Sequence, residues 1–195
     1  HAYSYGPDDG SAIRSRMRAA ADLFVDIARH SHELAARAIY GNNVDILVDL
    51  KGYTQGGRPR IPALRPAPVQ VNWLGYPGSM GMDAVDAIIA DPFVIPPARE
   101  TDYSEQVVRL PDCYQINDRR RQIAAHPSTR AECGLPEGAT VFCCFNQSYK
   151  ILPDVFAAWM RLLDAVPGSV LWLLGWRPRV CANLRQEASA RGVDP

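Results

Sequence analysis

The sequence has no excess of charge of either sign: 21 Lys and Arg stand against 21 Asp and Glu. A nucleic-acid-binding domain ordinarily carries a basic surplus that neutralises phosphate, so no nucleic-acid partner is expected. The basic run Arg119-Arg120-Arg121 is short, lies among polar residues, and reads as a solvated linker. No apolar run approaches the roughly 20 residues that cross a bilayer, so no membrane span is expected. Asp8 and Asp9 come too early for a secretory leader to be read at the start. Paired cysteine spacing is also missing. Cys113, Cys133, Cys143, Cys144 and Cys181 form an odd set with neither a disulfide nor a zinc pattern, which fits a reducing, cytoplasmic setting. Cys143 and Cys144 lie in an apolar run and read as small hydrophobes.

Several catalytic signatures are missing too: G-x-G-x-x-G, the P-loop, G-x-S-x-G and H-E-x-x-H. His30 and His32 have no cysteine or carboxylate cluster beside them and read as a surface pair rather than a metal site. Asp83 and Asp86 stand one helical turn apart, with nothing else to mark an acid–base pair. What remains is an ordinary globular composition, 47% hydrophobic and 22% charged, which excludes a disordered chain.

Along the chain, short apolar runs alternate with helical patterns. Ala2 to Tyr5 reads as a strand ended by the turn Gly6-Pro7-Asp8-Asp9-Gly10. Ser11 is a natural cap for a helix through Ile13, Met17 and Ala20. Strands are expected near residues 23–27, 44–50, 69–74, 87–90 and 106–110, and a helix over 33–40 closed by Gly41-Asn42-Asn43. From Leu110 to about Ser128 the pattern fades, and a boundary is expected there, with one unit over 1–124 and a second over 125–195. The second opens with a short helix near Ser128–Cys133. A strand over 140–145, a helix from Pro153 to Ala165, a strand over 169–174 and a helix near 179–191 follow. This alternation predicts an α/β fold with a mainly parallel sheet. A strand–helix unit closing the sequence implies a further strand, so the chain reads as part of a larger protein.

Three loops stand where such sheets bind ligands, beyond the carboxyl ends of strands. Gly52-Tyr53-Thr54-Gln55-Gly56-Gly57-Arg58 offers close backbone approach, with Tyr53, Thr54 and Arg58 as donors, although a glycine-rich connector reads equally well. Leu74-Gly75-Tyr76-Pro77-Gly78-Ser79-Met80-Gly81 suggests a wall for a small ligand, or a plain turn. Asn146-Gln147-Ser148-Tyr149-Lys150 precedes a helix, where phosphates find backbone amides and a lysine is a charge partner; taken alone, it reads more readily as a solvated loop.

Taken in order, these segments resemble the catalytic region of the protein O-GlcNAc transferases, a glycosyltransferase family of GT-B architecture. The resemblance runs through Tyr5–Gly10, Ile46–Thr54, Ala63–Gln70, Trp73–Gly78, Tyr103–Glu105, Cys144–Lys150 and Val166–Leu174. Arg109-Leu110-Pro111-Asp112 follows Tyr103 closely, as in the bacterial branch, which lacks the long insertion of the vertebrate enzymes. The resemblance implies part of an N-terminal Rossmann-like lobe and the start of a C-terminal UDP-binding lobe. It also implies inverting transfer of GlcNAc from UDP-GlcNAc to Ser or Thr hydroxyls of a protein or peptide, with no metal or other cofactor. Lys150 would pair with the pyrophosphate, Gln147 would contact UDP, and Tyr149 would border the sugar. Leu74 and Gly75 would form part of the sugar pocket, and Tyr53, Thr54 and Arg58 would line the acceptor side. The family's active-site histidines would precede His1, tetratricopeptide repeats would lie further upstream, and other UDP-binding residues would follow Pro195. This stretch alone is then expected to be inert. A different UDP-hexose donor or acceptor remains open, as does a repeat-linked scaffold without transfer activity.

Overall fold

The computed structural model describes residues 1–175 and 177–195. The chain divides into two compact units, His1–Arg120 and Arg121–Pro195.

In the first unit, β1 (Ala2–Ser4) leads through α1 (Ala12–Ala20) to β2 (Phe24–Asp26), and the two strands pair in parallel. The Ser11 hydroxyl accepts the Arg14 amide at 3.1 Å, satisfying one of the amides a helix start leaves without a partner. Arg14 then ties this segment together, its guanidinium meeting Asp8, Asp26 and Ser4. Next comes α2 (His32–Gly41), capped by Ser31, which buries Ala35, Ala36 and Ile39 against Ile27 and Ile61.

A second, four-stranded sheet follows: β3 (Ile46–Asp49), β4 (Val69–Trp73), β5 (Ala87–Ala90) and β6 (Gln106–Arg109). All its pairings are parallel, in sequence order, and all its strands therefore end on one edge. Ile88, Ala90, Ile95 and Val107 form the core around β5 and β6. Two short elements not expected from the sequence stand between strands: α3 (Arg60–Ala63) and a 3₁₀ helix over Pro97–Asp102. Both are too short to show a helical apolar period.

The second unit is a β-α-β arrangement. β7 (Val141–Cys144) and β8 (Val170–Leu173) pair in parallel, joined by α4 (Pro153–Ala165), and α5 (Pro178–Ser189) follows. Phe156, Met160 and Ala188 form its core, with Trp159, Leu163, Leu171 and Leu184 packed around them. The helix expected at Ser128–Cys133 is a single hydrogen-bonded turn instead. Thr129 and Glu132 exchange bonds between side chains and amides as at a helix start, but Gly134 at positive φ and then Pro136 stop propagation. Cys143, expected as a small hydrophobe, is exposed, because alternation along β7 turns it outward.

Candidate functional site

The loops after β3 and β4 leave adjacent parallel strands, and at two points only glycine fits: Gly75, where the β4 loop meets the end of β3, and Gly57, where the β3 loop folds on itself. A Cβ on Gly75 would stand 2.3 Å from the Leu50 carbonyl oxygen, and one on Gly57 would stand 2.1 Å from that of Gly52. Gly52 itself has φ +52, and its missing Cβ leaves room for Tyr76.

The donors expected to face a ligand on the first loop are engaged within the protein. The Tyr53 hydroxyl donates to the Met80 carbonyl at 2.9 Å, and its ring meets Tyr76 edge-on at 5.5 Å. The Thr54 hydroxyl donates to the Lys51 carbonyl at 2.9 Å. Arg58 donates to the Ile27 and His30 carbonyls, at 2.9 and 2.7 Å, and lies 5.9 Å from the centre of the Tyr5 ring. Burial, and then the charge of Asp49, push the Tyr5 phenol up to about 12, against the opposing pull of Arg58. These three side chains thus shape the loop and the strand ends around it.

Leu74 departs furthest from ordinary backbone geometry. Its φ is +76, and the Gly75 amide donates to the Trp73 carbonyl at 3.0 Å, closing a γ-turn of the rare positive-φ kind around a bulky residue. Residues 76–81 beyond it are clamped by side chains. Asn72 donates to the Tyr76 and Gly78 carbonyls at 2.9 and 3.3 Å, and the Tyr103 hydroxyl donates to that of Pro77 at 3.0 Å. The Glu105 carboxylate accepts the Met80 amide at 2.6 Å and the Ser79 hydroxyl at 2.8 Å. Burial, with the nearby Asp102 and Glu105 charges, raises the Tyr103 phenol. Asn72 and Glu105, both buried, were given no role from the sequence, although Glu105 closes the Tyr103–Glu105 stretch of the family resemblance. The available signal was a polar residue inside or just before an apolar strand that flanks a glycine-rich loop.

In the second unit, Gln147 leads into a 3₁₀ turn over Ser148–Lys150, whose last amide donates back to the Gln147 carbonyl at 3.0 Å. The side chains of Gln147, Tyr149 and Lys150 are exposed, and the Lys150 ammonium meets no acceptor among the described residues. The start of α4, at Pro153, carries no side-chain cap, so amides of its first turn are open to an anion. A free cation and an uncapped helix start therefore stand within a few residues of each other, a pairing suited to phosphate. Among the described residues, no group of three His, Cys, Asp or Glu side chains is placed to hold a metal ion.

The sequence pattern of glycosyl transferase family 41 matches residues 1–128 and 123–195. The chain belongs to that family. It is 37% identical, over 99% of its length, to an Arabidopsis thaliana protein named probable UDP-N-acetylglucosamine--peptide N-acetylglucosaminyltransferase SEC. It is 34% identical over 89% of its length to the Arabidopsis protein of the same description named SPINDLY. Among solved structures, an O-GlcNAc transferase variant from Thermobaculum terrenum matches 98% of the chain with a TM-score of 0.87 and 31% identity. The α/β fold with parallel sheets is thus that of the family's GT-B catalytic region. The family-41 chain spans 20% and 19% of the two plant proteins and 36% of the solved one.

Proposed function

We propose that the protein containing this chain transfers GlcNAc from UDP-GlcNAc to Ser or Thr hydroxyls of proteins, with inversion and without a metal. The observation that carries this reading is the family-41 match, which takes in both the clamped strand-end loops and the Gln147–Lys150 loop. The similar plant proteins, named for peptide N-acetylglucosaminyl transfer, support the donor and the acceptor class.

In the transfer, the acceptor hydroxyl oxygen bonds to the anomeric carbon from the face opposite UDP. The bond from that carbon to the β-phosphate oxygen breaks, and UDP leaves with the electron pair. Lys150 pairs with the negative charge growing on the pyrophosphate, assisted by the open amides at the start of α4; this work would otherwise fall to a metal. Gln147 contacts the UDP moiety and Tyr149 borders the sugar. Leu74 and Gly75 form part of the sugar pocket, while Tyr53, Thr54 and Arg58 support the acceptor side through the loop they brace. The hydroxyl proton passes to an active-site histidine upstream, where the family resemblance puts it, and tetratricopeptide repeats further upstream present the acceptor.

UDP release from UDP-GlcNAc with a Ser/Thr peptide pool, measured on the full-length protein in EDTA, tests this reading. Turnover is expected to survive the chelator, and Lys150→Ala is expected to lose roughly 100-fold or more in kcat, the usual scale for one transition-state charge contact. UDP binding without turnover would show a different donor or acceptor, or a scaffold. No UDP binding would overturn the site.

A further inference from the structure

We propose that Glu105 is a positioning residue for the donor pocket, acting through the backbone of residues 74–81. The inference rests on the transferase reading, which makes Leu74 and Gly75 part of the sugar pocket. Glu105 is 3% exposed, and the two bonds it accepts both serve the β4 loop. A carboxylate drawn out of water to hold an amide and a hydroxyl is an uneven choice for packing alone, since an apolar side chain would fill the space without desolvating a charge. Its bonds converge on one point. Met80, held by its amide to Glu105, takes the Tyr53 hydroxyl on its carbonyl. The Met80 sulfur lies 3.1 Å from where a Gly52 Cβ would stand. Glu105 therefore fixes one of the residues that join the β3 and β4 loops, beside the contacts of Gly75 with Leu50 and of Tyr76 with Gly52 and Tyr53.

The rest of the loop has the same character. The Ser79 hydroxyl that donates to Glu105 also accepts the Gly81 amide at 3.1 Å, while Asn72 and Tyr103 hold the carbonyls of residues 76, 77 and 78. Backbone strain such as the positive φ of Leu74 persists only where surrounding contacts over-determine it. Release of the Met80 amide lets that strain relax and moves the wall at Leu74 and Gly75. The effect falls on the sugar, not on the nucleotide, whose proposed contacts are in the second unit.

The test compares wild type, Glu105→Ala, Glu105→Gln and Ser79→Ala in the full-length protein. Glutamine keeps an acceptor for the Met80 amide, and with its NH2 facing Ser79 the Ser79 hydroxyl turns its proton to Ser104 Oγ, 3.1 Å away, so the Met80 bond is kept while charge is removed. Glu105→Ala is expected to lower kcat/KM for UDP-GlcNAc by roughly 10- to 100-fold, the scale of a displacement near 1 Å, with the Kd for UDP alone unchanged. Glu105→Gln should stay near wild type, and Ser79→Ala should show a smaller loss of the same kind. Equal kcat/KM in wild type and Glu105→Ala overturns the inference, as does a fall in UDP affinity that matches the fall in kcat/KM. If Glu105→Ala does not fold, Ser79→Ala decides: a loss confined to the sugar nucleotide supports the inference, and none overturns it. If wild type itself turns over no UDP-GlcNAc, the transferase reading fails. Hydrogen exchange in residues 74–81 then decides the clamp: faster exchange in Glu105→Ala with Glu105→Gln at wild-type rate supports it, and equal rates overturn it.

Discussion

Leu74 carries a backbone conformation that an L side chain pays for in steric strain, of order 1–3 kcal/mol for such outliers. Glycine adopts that φ freely, whereas alanine does not. The usual order, in which alanine is the more stable replacement, should therefore reverse here. Leu74→Gly is expected to unfold at higher denaturant than Leu74→Ala, by about 1 kcal/mol in urea titrations. Asp86 and Asp91, on either side of β5, contribute to the acid response together with Asp9, Glu33, Asp118 and Glu132, whose carboxyls are also held below their usual range. The Arg65 guanidinium and the Gln70 amide hold the Asp86 carboxyl below its usual range, and the amides of Tyr114, Val94 and Phe93 do the same for Asp91. A pKa depressed by folding contributes stability that is full above the unfolded value, about 3.9, and is lost as pH falls from there through the folded value. The urea midpoint should thus hold steady between about pH 7 and 5 and fall below about pH 4. Asp86→Asn should flatten that fall.

At the scale of elements, the helices and strands follow from local pattern, while their loops follow from crowding. Ser11 was readable as a helix start because a cap acts within one turn of chain, and Ser31, not singled out from the sequence, caps α2 in the same way. The Ser128–Cys133 segment shows the limit: a capping pattern without a following apolar stripe makes one turn and stops. From the sequence the β3 loop read equally as a ligand loop or a glycine-rich connector, and the β4 loop as a ligand wall or a plain turn; in the structure Gly57 and Gly75 are fixed by contact with neighbouring carbonyls. Gly57→Ala and Gly75→Ala are expected to cost about 1–3 kcal/mol or more by forced overlap. Gly41→Ala, with nothing within 4 Å of its Cβ position at the end of α2, should be neutral or slightly stabilising. Thermal unfolding of the three variants checks the order.

For the molecule as a whole, the first unit holds two parallel sheets, β1-β2 and β3-β4-β5-β6. Among the described residues, β1 pairs only with β2, and β3 only with β4. Residues of both unpaired edges, with Ile13 and Met17 of α1, line a cavity of about 1130 Å³. Unpaired edges recruit other strands, and a net charge of zero offers no repulsion against it. The 195-residue chain on its own is expected to self-associate. Light scattering should show a mass that rises with concentration, and Val48→Lys, a charge on the β3 edge, should lower it. A monomer at all concentrations would refute this.

The sequence by itself determined the order of the strands and of the longer helices, the parallel α/β class and the three loops at strand ends, because period, caps and turn residues act between near neighbours; α3 and the 3₁₀ helix over Pro97–Asp102 lay outside that reading. Its resemblance to a known family also pointed to Gln147, Tyr149 and Lys150, whose exposed side chains need no partner from elsewhere in the chain. Only the tertiary structure decided what the other polar residues do. Tyr53, Thr54 and Arg58 spend their donors on backbone carbonyls, and for Tyr53 and Arg58 those carbonyls are more than 20 residues away. Glu105 grips an amide 25 residues before it. No local pattern encodes a contact across that separation; it exists because parallel strands bring their carboxyl ends, and the loops beyond them, to one edge.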